Sequence, residues 1–165
     1  MGVSVSFEAS VAYVTIENPP VNAVSQVVRA GLMQAVAQTE AAQGIERVIL
    51  RCAGRTFVAG ADVREFDGAP LPPHLPDVIA AIEGASAPWI AELHGTVLGA
   101  GLELAMGCHG RVAHPGTKLG LPEVTLGLIP GAGGTVRLPR LVSSNLALNM
   151  IAGGKPITAA VALEA

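Results

Sequence analysis

Residues 96–107 read TVLGAGLELAMG and hold one carboxylate, Glu103, inside a run of glycines and aliphatic side chains. Nothing in the neighbouring sequence neutralises it. Burying an unpaired carboxylate costs roughly several kcal/mol after relaxation and drives its pKa up, and a group that carries protons gains from such a shift. The stretch follows the apolar, strand-like APWIAELHG (87–95), and the spacing of Leu102, Leu104, Ala105 and Met106 predicts a buried helix with Glu103 in its first turn.

Working outward, Val3–Phe7 and Val11–Glu17 are β-branched runs joined by a small polar turn, which predicts a hairpin. ENPPVNAVS breaks that pattern, and Ser25 is placed to cap a helix that carries Val28, Leu32, Ala35 and Val36 on one face and ends near Gly44. ERVILRC is a third strand, and a short apolar strand leads into the glycine turn of RTFVAGADVREF. DGAPLPPHLP is too rich in proline for a helix or an inner strand and reads as a surface loop, with a helix from about Asp77 to Gly84. Downstream, GRVAHP and TKLGLPE are extended, and LGLIPGAGGTVRLPRLV is a glycine turn entering a helix. SSNLALNMIAGG is a capped helix closed by glycines, and a last helix starts after Thr158. Strand pairs alternating with helices predict an α/β domain. The last helix meets no stop signal, so the chain is expected to be truncated before further helices.

Composition narrows the function classes. The chain has 165 residues, of which 50% are hydrophobic and 14% charged, enough for one well-buried domain. The net charge of −3 and the scattered arginines form no basic stripe, which argues against nucleic acid as a partner. The aliphatic runs are all cut by Glu, His, Pro or Gly short of the roughly 20 residues a membrane helix needs. No basic segment precedes an apolar one at the N-terminus, so no export signal is visible, and a cytoplasmic location is expected. Cys52 and Cys108 read as reduced, buried thiols, and His74, His94, His109 and His114 lack metal-ligand spacing, so no metal is expected. PGAGGT (130–135) lacks the Gly-Lys-Ser/Thr ending of a phosphate loop and reads as a structural turn, and GAGLEL fails the dinucleotide fingerprint at Leu104.

Two glycine turns, VAGAD and LGAGLE, follow apolar segments, and each is able to aim a backbone N–H outward. A second isolated carboxylate, Glu123 in GLPEVTLGLIPG, stands 20 positions after Glu103. Paired carboxylates and paired N–H donors suit acid-base chemistry beside a carbonyl. The bland alternative is that Glu103 is a first-turn acid favoured by the helix dipole and Glu123 caps a turn.

The motifs FVAGADVREF, GTVLGAGLELAMGCHGRVAH and LGLPEVTLGLIPGAGGTVRLPRL, in this order, resemble the crotonase family of enoyl-CoA hydratases and isomerases, nearly end to end. Within it they are most similar to the N-terminal hydratase/isomerase part of multifunctional fatty-acid oxidation enzymes. The resemblance implies a spiral of strand-strand-helix units. It implies Glu103 and Glu123 as catalytic residues and the N–H groups of Ala61 and Ala100 as the oxyanion hole, Ala100 standing where the family pattern has glycine. It places the segment Ala59, Gly60, Ala61, Asp62, Val63 and Arg64, with Ala100, against coenzyme A and substrate; Arg64 is equally readable as a solvated surface arginine. The implied reaction is addition of water to a trans-2-enoyl-CoA thioester in β-oxidation. No separate cofactor is implied, since coenzyme A is part of the substrate. Implied partners are further copies of the chain, as a trimer or a dimer of trimers, or a fused dehydrogenase. A 3-enoyl-CoA to 2-enoyl-CoA isomerase and a non-catalytic acyl-CoA-binding or assembly fragment remain as alternatives.

Overall fold

The computed structural model describes residues 2–165. Alternation of apolar and polar residues builds its first layer. β1 (Gly2–Glu8) and β2 (Val11–Glu17) pair antiparallel as the expected hairpin. Along β2, Ala12, Val14 and Ile16 are fully buried while their neighbours face outward, as a period of two requires. β3 (Arg47–Cys52), β4 (Trp89–Leu93) and β6 (Gly110–Ala113) continue the sheet in parallel, in the order β1-β2-β3-β4-β6. The intervening strand, β5 (Thr96–Leu98), pairs with β7 (Lys118–Gly120), which pairs in turn with β8 (Ile157–Thr158), in a separate sheet.

This division produces the spiral. Each turn sends one strand into the five-stranded sheet, the next extended segment into the second layer, and then a helix across. β4, β5 and α3 (Ala100–Gly107) form one such unit. β3, the segment at Phe57–Val58 and α2 (Leu75–Glu83) form the preceding one. Phe57–Val58 is shorter than the strand expected there: it makes an isolated parallel bridge, Val58 to Val97, because on either side the carbonyl of Thr56 accepts from the Asn22 side chain and Ala59 N–H donates to Val21 O in a loop.

α1 (Gln26–Ala41) starts at Ser25, whose hydroxyl accepts from Val28 N–H, and it buries Val28, Leu32, Ala35 and Val36 as its spacing predicts. It ends at Ala41, three residues before Gly44, the expected stop. Each large aliphatic side chain so buried contributes about 1.5–3 kcal/mol. α2 starts two residues before the expected Asp77. His74 caps it and Pro76 sits in its first turn, where a missing N–H costs no hydrogen bond, so the proline-rich loop feeds directly into the helix. α4 (Gly134–Leu141), α5 (Ser144–Ala152) and α6 (Ala159–Glu164) complete the chain, with Ser143 and Thr158 capping the last two. Every residue of α3 is buried, which makes it the central helix, flanked by α2 and α4. No helix among the described residues is long and apolar enough to cross a membrane.

Candidate active site

The turn that begins α3 carries the site. Gly99 precedes the helix with φ of 53°, a conformation that disfavours a side chain, and its N–H donates to Gly120 O at 2.9 Å. A Cβ built there would lie 3.0 Å from Oε1 of Glu123 and 3.9 Å from the Cα of Gly60. Glycine at 99 therefore lets three segments converge: the Gly60–Ala61 turn, the start of α3, and Glu123. The unusual backbone angle is carried by Gly99, and Ala100 has none, which is how alanine is accommodated at the position where the family pattern has glycine.

The two candidate N–H donors share one cavity. Ala61 and Ala100 both line a cleft of about 640 Å³ together with Val24, Leu128 and the 66–76 loop. Ala100 is the first residue of α3, so its N–H has no preceding helical carbonyl to bond. Ala61 lies in an isolated bridge with Val24 in which Val24 N–H donates to Gly60 O, and its own N–H donates to no backbone group among the described residues. Thr56 staples the two segments together: its hydroxyl donates to Thr96 O at 2.6 Å and accepts from Thr96 N–H at 2.9 Å. Buried Asn22 holds the same loop through the carbonyls of Ala53 and Thr56.

Glu103 is 3% exposed, and it is not unpartnered. Its Oε1 accepts from Ala132 N–H at 2.7 Å and Gly134 N–H at 2.8 Å. Burial still holds its carboxyl above the usual range, against the two N–H bonds and the Arg137 charge, which lower it. The PGAGGT turn that supplies those donors read from sequence as structural only. Glu123 opens a 3₁₀ turn, Glu123–Leu126, and its Oε2 is buried without a hydrogen-bond partner among the described residues. Burial raises its pKa most, and the charge of Glu103 raises it further, with its own N–H opposing.

A carboxyl whose folded pKa lies above its unfolded value binds its proton more tightly when folded, so stability falls as pH rises through that window and the deficit persists above it. Glu123→Gln removes the titration. Its unfolding midpoint is expected to exceed the parent's at about pH 8, the gap closing as pH falls below the ordinary carboxylate range. Thermal unfolding at both ends of the window checks this, and an equal gap at both pH values would contradict it.

The remaining expected contacts differ in kind. Asp62 and Arg64 face each other: Arg64 Nε donates to Oδ1 at 2.8 Å and Nη2 to Oδ2 at 2.6 Å, which holds the Asp62 carboxyl below its usual range. The Arg64 side chain is otherwise 81% exposed, and it is Asp62, its partner, that lines the cleft with Ala61. Sequence reading missed Arg29, which points inward from α1 and donates to Glu65 at 2.8 Å and to the carbonyls of Leu71 and Pro73, tying down the loop that walls the cleft. An arginine on a helix gives no sign of this without the loop that folds over it.

Known proteins share this arrangement of chain. A family described as Enoyl-CoA hydratase/isomerase matches residues 6–165. A probable enoyl-CoA hydratase of Bacillus subtilis is 43% identical over 98% of the chain, and the peroxisomal bifunctional enzyme of Danio rerio is 43% identical over 94%. The chain spans 66% of the length of the first and 22% of the second. The crystal structure of an enoyl-CoA hydratase from Bacillus anthracis superimposes with a TM-score of 0.92 at 33% identity, covering 99% of this chain and 67% of that one. With the family's pattern matched over almost all of its length and its fold reproduced in the solved hydratase, the chain belongs to the crotonase family of enoyl-CoA hydratases and isomerases.

Proposed function

We propose that the chain hydrates trans-2-enoyl-CoA thioesters, with Glu103 as general base, Glu123 as general acid, and the N–H groups of Ala61 and Ala100 as the oxyanion hole. The observation that carries this reading is the convergence at Gly99: one glycine brings Glu123, the Ala61 turn and the start of the Glu103 helix within a few ångströms. The thioester oxygen, held by the two N–H groups, takes up charge as water adds to C3 and an enolate forms. Each such donor is typically worth roughly 3 kcal/mol in the transition state.

The two carboxyls have different environments, which supports dividing the roles. Glu103 accepts two N–H bonds, which favour its charged form, so it suits removal of the proton from water. Glu123 has an unpartnered, buried Oε2 and feels the charge of Glu103, so it is the better holder of the proton delivered to C2. Water thus contributes hydroxide to C3 and the pair relays a proton to C2, with solvent exchange restoring both carboxyls. Coenzyme A would extend from the cleft past Ala59–Arg64, where the Nη1 edge of the exposed Arg64, left over from its pair with Asp62, would meet phosphate.

Product analysis tests the reaction. Incubation with 2-enoyl-CoA is expected to give 3-hydroxyacyl-CoA, whereas conversion of 3-enoyl-CoA to 2-enoyl-CoA without hydration would favour the isomerase, and binding without turnover the non-catalytic reading. A milder check concerns the second donor. Ala100→Gly is expected to keep turnover within about threefold, since the N–H remains, at a stability cost of roughly 0.5–1 kcal/mol. Markedly slower turnover in a stably folded variant would mean that the methyl group of Ala100 contacts the reacting groups.

A further inference from the structure

The N–H pair that holds Glu103 is itself held. Ala132 N–H and Gly134 N–H belong to two peptide units, and the unit joining them carries the carbonyl of Ala132. That carbonyl accepts from Arg137 Nη1 at 2.9 Å. The rest of the guanidinium fork grips Glu83 at the end of α2, Nε to Oε1 and Nη2 to Oε2, both at 2.7 Å. A bidentate pair of this kind fixes the plane of the guanidinium as well as its position. Gly133, at φ of 99°, sits between the donors, and a Cβ there would overlap Arg137 Nη1, so the glycine serves both the turn and the close approach of the arginine.

We propose that Arg137 is a positioning residue for the reaction: clamped by Glu83, it fixes the Ala132–Gly133 peptide so that the flanking N–H groups converge on Oε1 of Glu103. The clamp joins three helices, α2, α3 and α4, around one carboxylate. Its consequence rests on the reading of Glu103 as the base. A carboxylate aimed by two fixed donors stays oriented, and the charge of Arg137, with those donors, opposes the burial that raises the Glu103 pKa. Within this set Arg137 acts on Glu103 and Glu83, both carboxylates act on Arg137, and His109 acts on Glu83, while Glu123 faces the set and feels the charge of Glu103. Other charges on the surrounding elements are engaged elsewhere. Arg111 of β6 bonds the carbonyls of Ala105 and Cys108 at the far end of α3, Arg140 bonds Val136 O, and Asp77 caps α2. The outer side of the clamp borders a cavity of about 620 Å³, so shortening Arg137 opens space without creating overlap.

The test is Arg137→Gln and Arg137→Lys, read by the pH profile of kcat and, independently of turnover, by NMR titration of the Glu103 carboxyl carbon and of the Ala132 and Gly134 amides. Arg137→Gln is expected to lower kcat about tenfold with KM within about twofold. It should move the acid limb of the profile and the Glu103 midpoint to higher pH, since a cation that favours the carboxylate has gone. Lysine keeps the charge without the fork, so its effects should be intermediate, and it serves as the test if the glutamine variant fails to fold. Glu103 and amide titrations unmoved in the folded variants would overturn the clamp. Should Glu103→Gln keep full turnover, the assignment of the base fails, while the carboxyl and amide titrations still decide whether Arg137 holds that carboxylate.

Discussion

Glu103→Gln and Glu123→Gln are each expected to lower hydration of crotonyl-CoA by at least about 100-fold, the size of effect that lost general acid-base catalysis produces. Glutamine is nearly isosteric, and its Oε1 still accepts from Ala132 and Gly134, so the fold and the cleft should survive in the first variant. On the proposed roles, what disappears is the ability to take a proton from water. In the second, the amide replaces a carboxyl whose Oε2 has no partner to lose, and what disappears is the proton for C2. Steady-state kinetics with thioester affinity measured alongside separates the two effects: kcat should collapse while binding changes little. Turnover near the parent's in either variant removes that glutamate from the mechanism.

Ala61→Pro should lower kcat by about 100- to 1,000-fold, the range reported by removal of one oxyanion donor. Side-chain substitution leaves a backbone N–H in place, and proline deletes it. The position suits the test because Ala61 N–H donates to no backbone group among the described residues, while the neighbouring bond from Val24 N–H to Gly60 O does not involve it. Thioester affinity is expected to fall far less than kcat, since the ground-state carbonyl carries less charge than the enolate. An equal loss in both would mean that the turn contributes binding alone.

Much of the fold is legible in local sequence. The hairpin follows from alternation, α1 from the spacing of Val28, Leu32, Ala35 and Val36, and the starts of α1, α5 and α6 from Ser25, Ser143 and Thr158, because caps and periodicity are short-range signals. Glu103 and Glu123 stand out as charges among apolar residues, and both prove to be shielded from water to different degrees. The partners of Glu103 do not stand out. Its two N–H donors lie 29 and 31 residues downstream, and a glycine turn reads the same whether or not a carboxylate seats in it. Arg29 and Arg137 are equally silent, since an arginine on a helix is ordinarily solvated and its partners here come from the 65–73 loop and from α2. Long-range closure is a property of how the spiral turns stack, which local patterning encodes only collectively.

On the proposed mechanism, paired carboxylates beside a backbone oxyanion hole add water across an enoyl thioester. Mass analysis of the product formed from trans-2-enoyl-CoA in ¹⁸O-labelled water tests it most directly. The expected result is 3-hydroxyacyl-CoA carrying one solvent oxygen at C3, formed by the parent chain and lost in the Glu103→Gln, Glu123→Gln double variant. Substrate recovered without label from the parent, or label incorporated equally by the double variant, would contradict it.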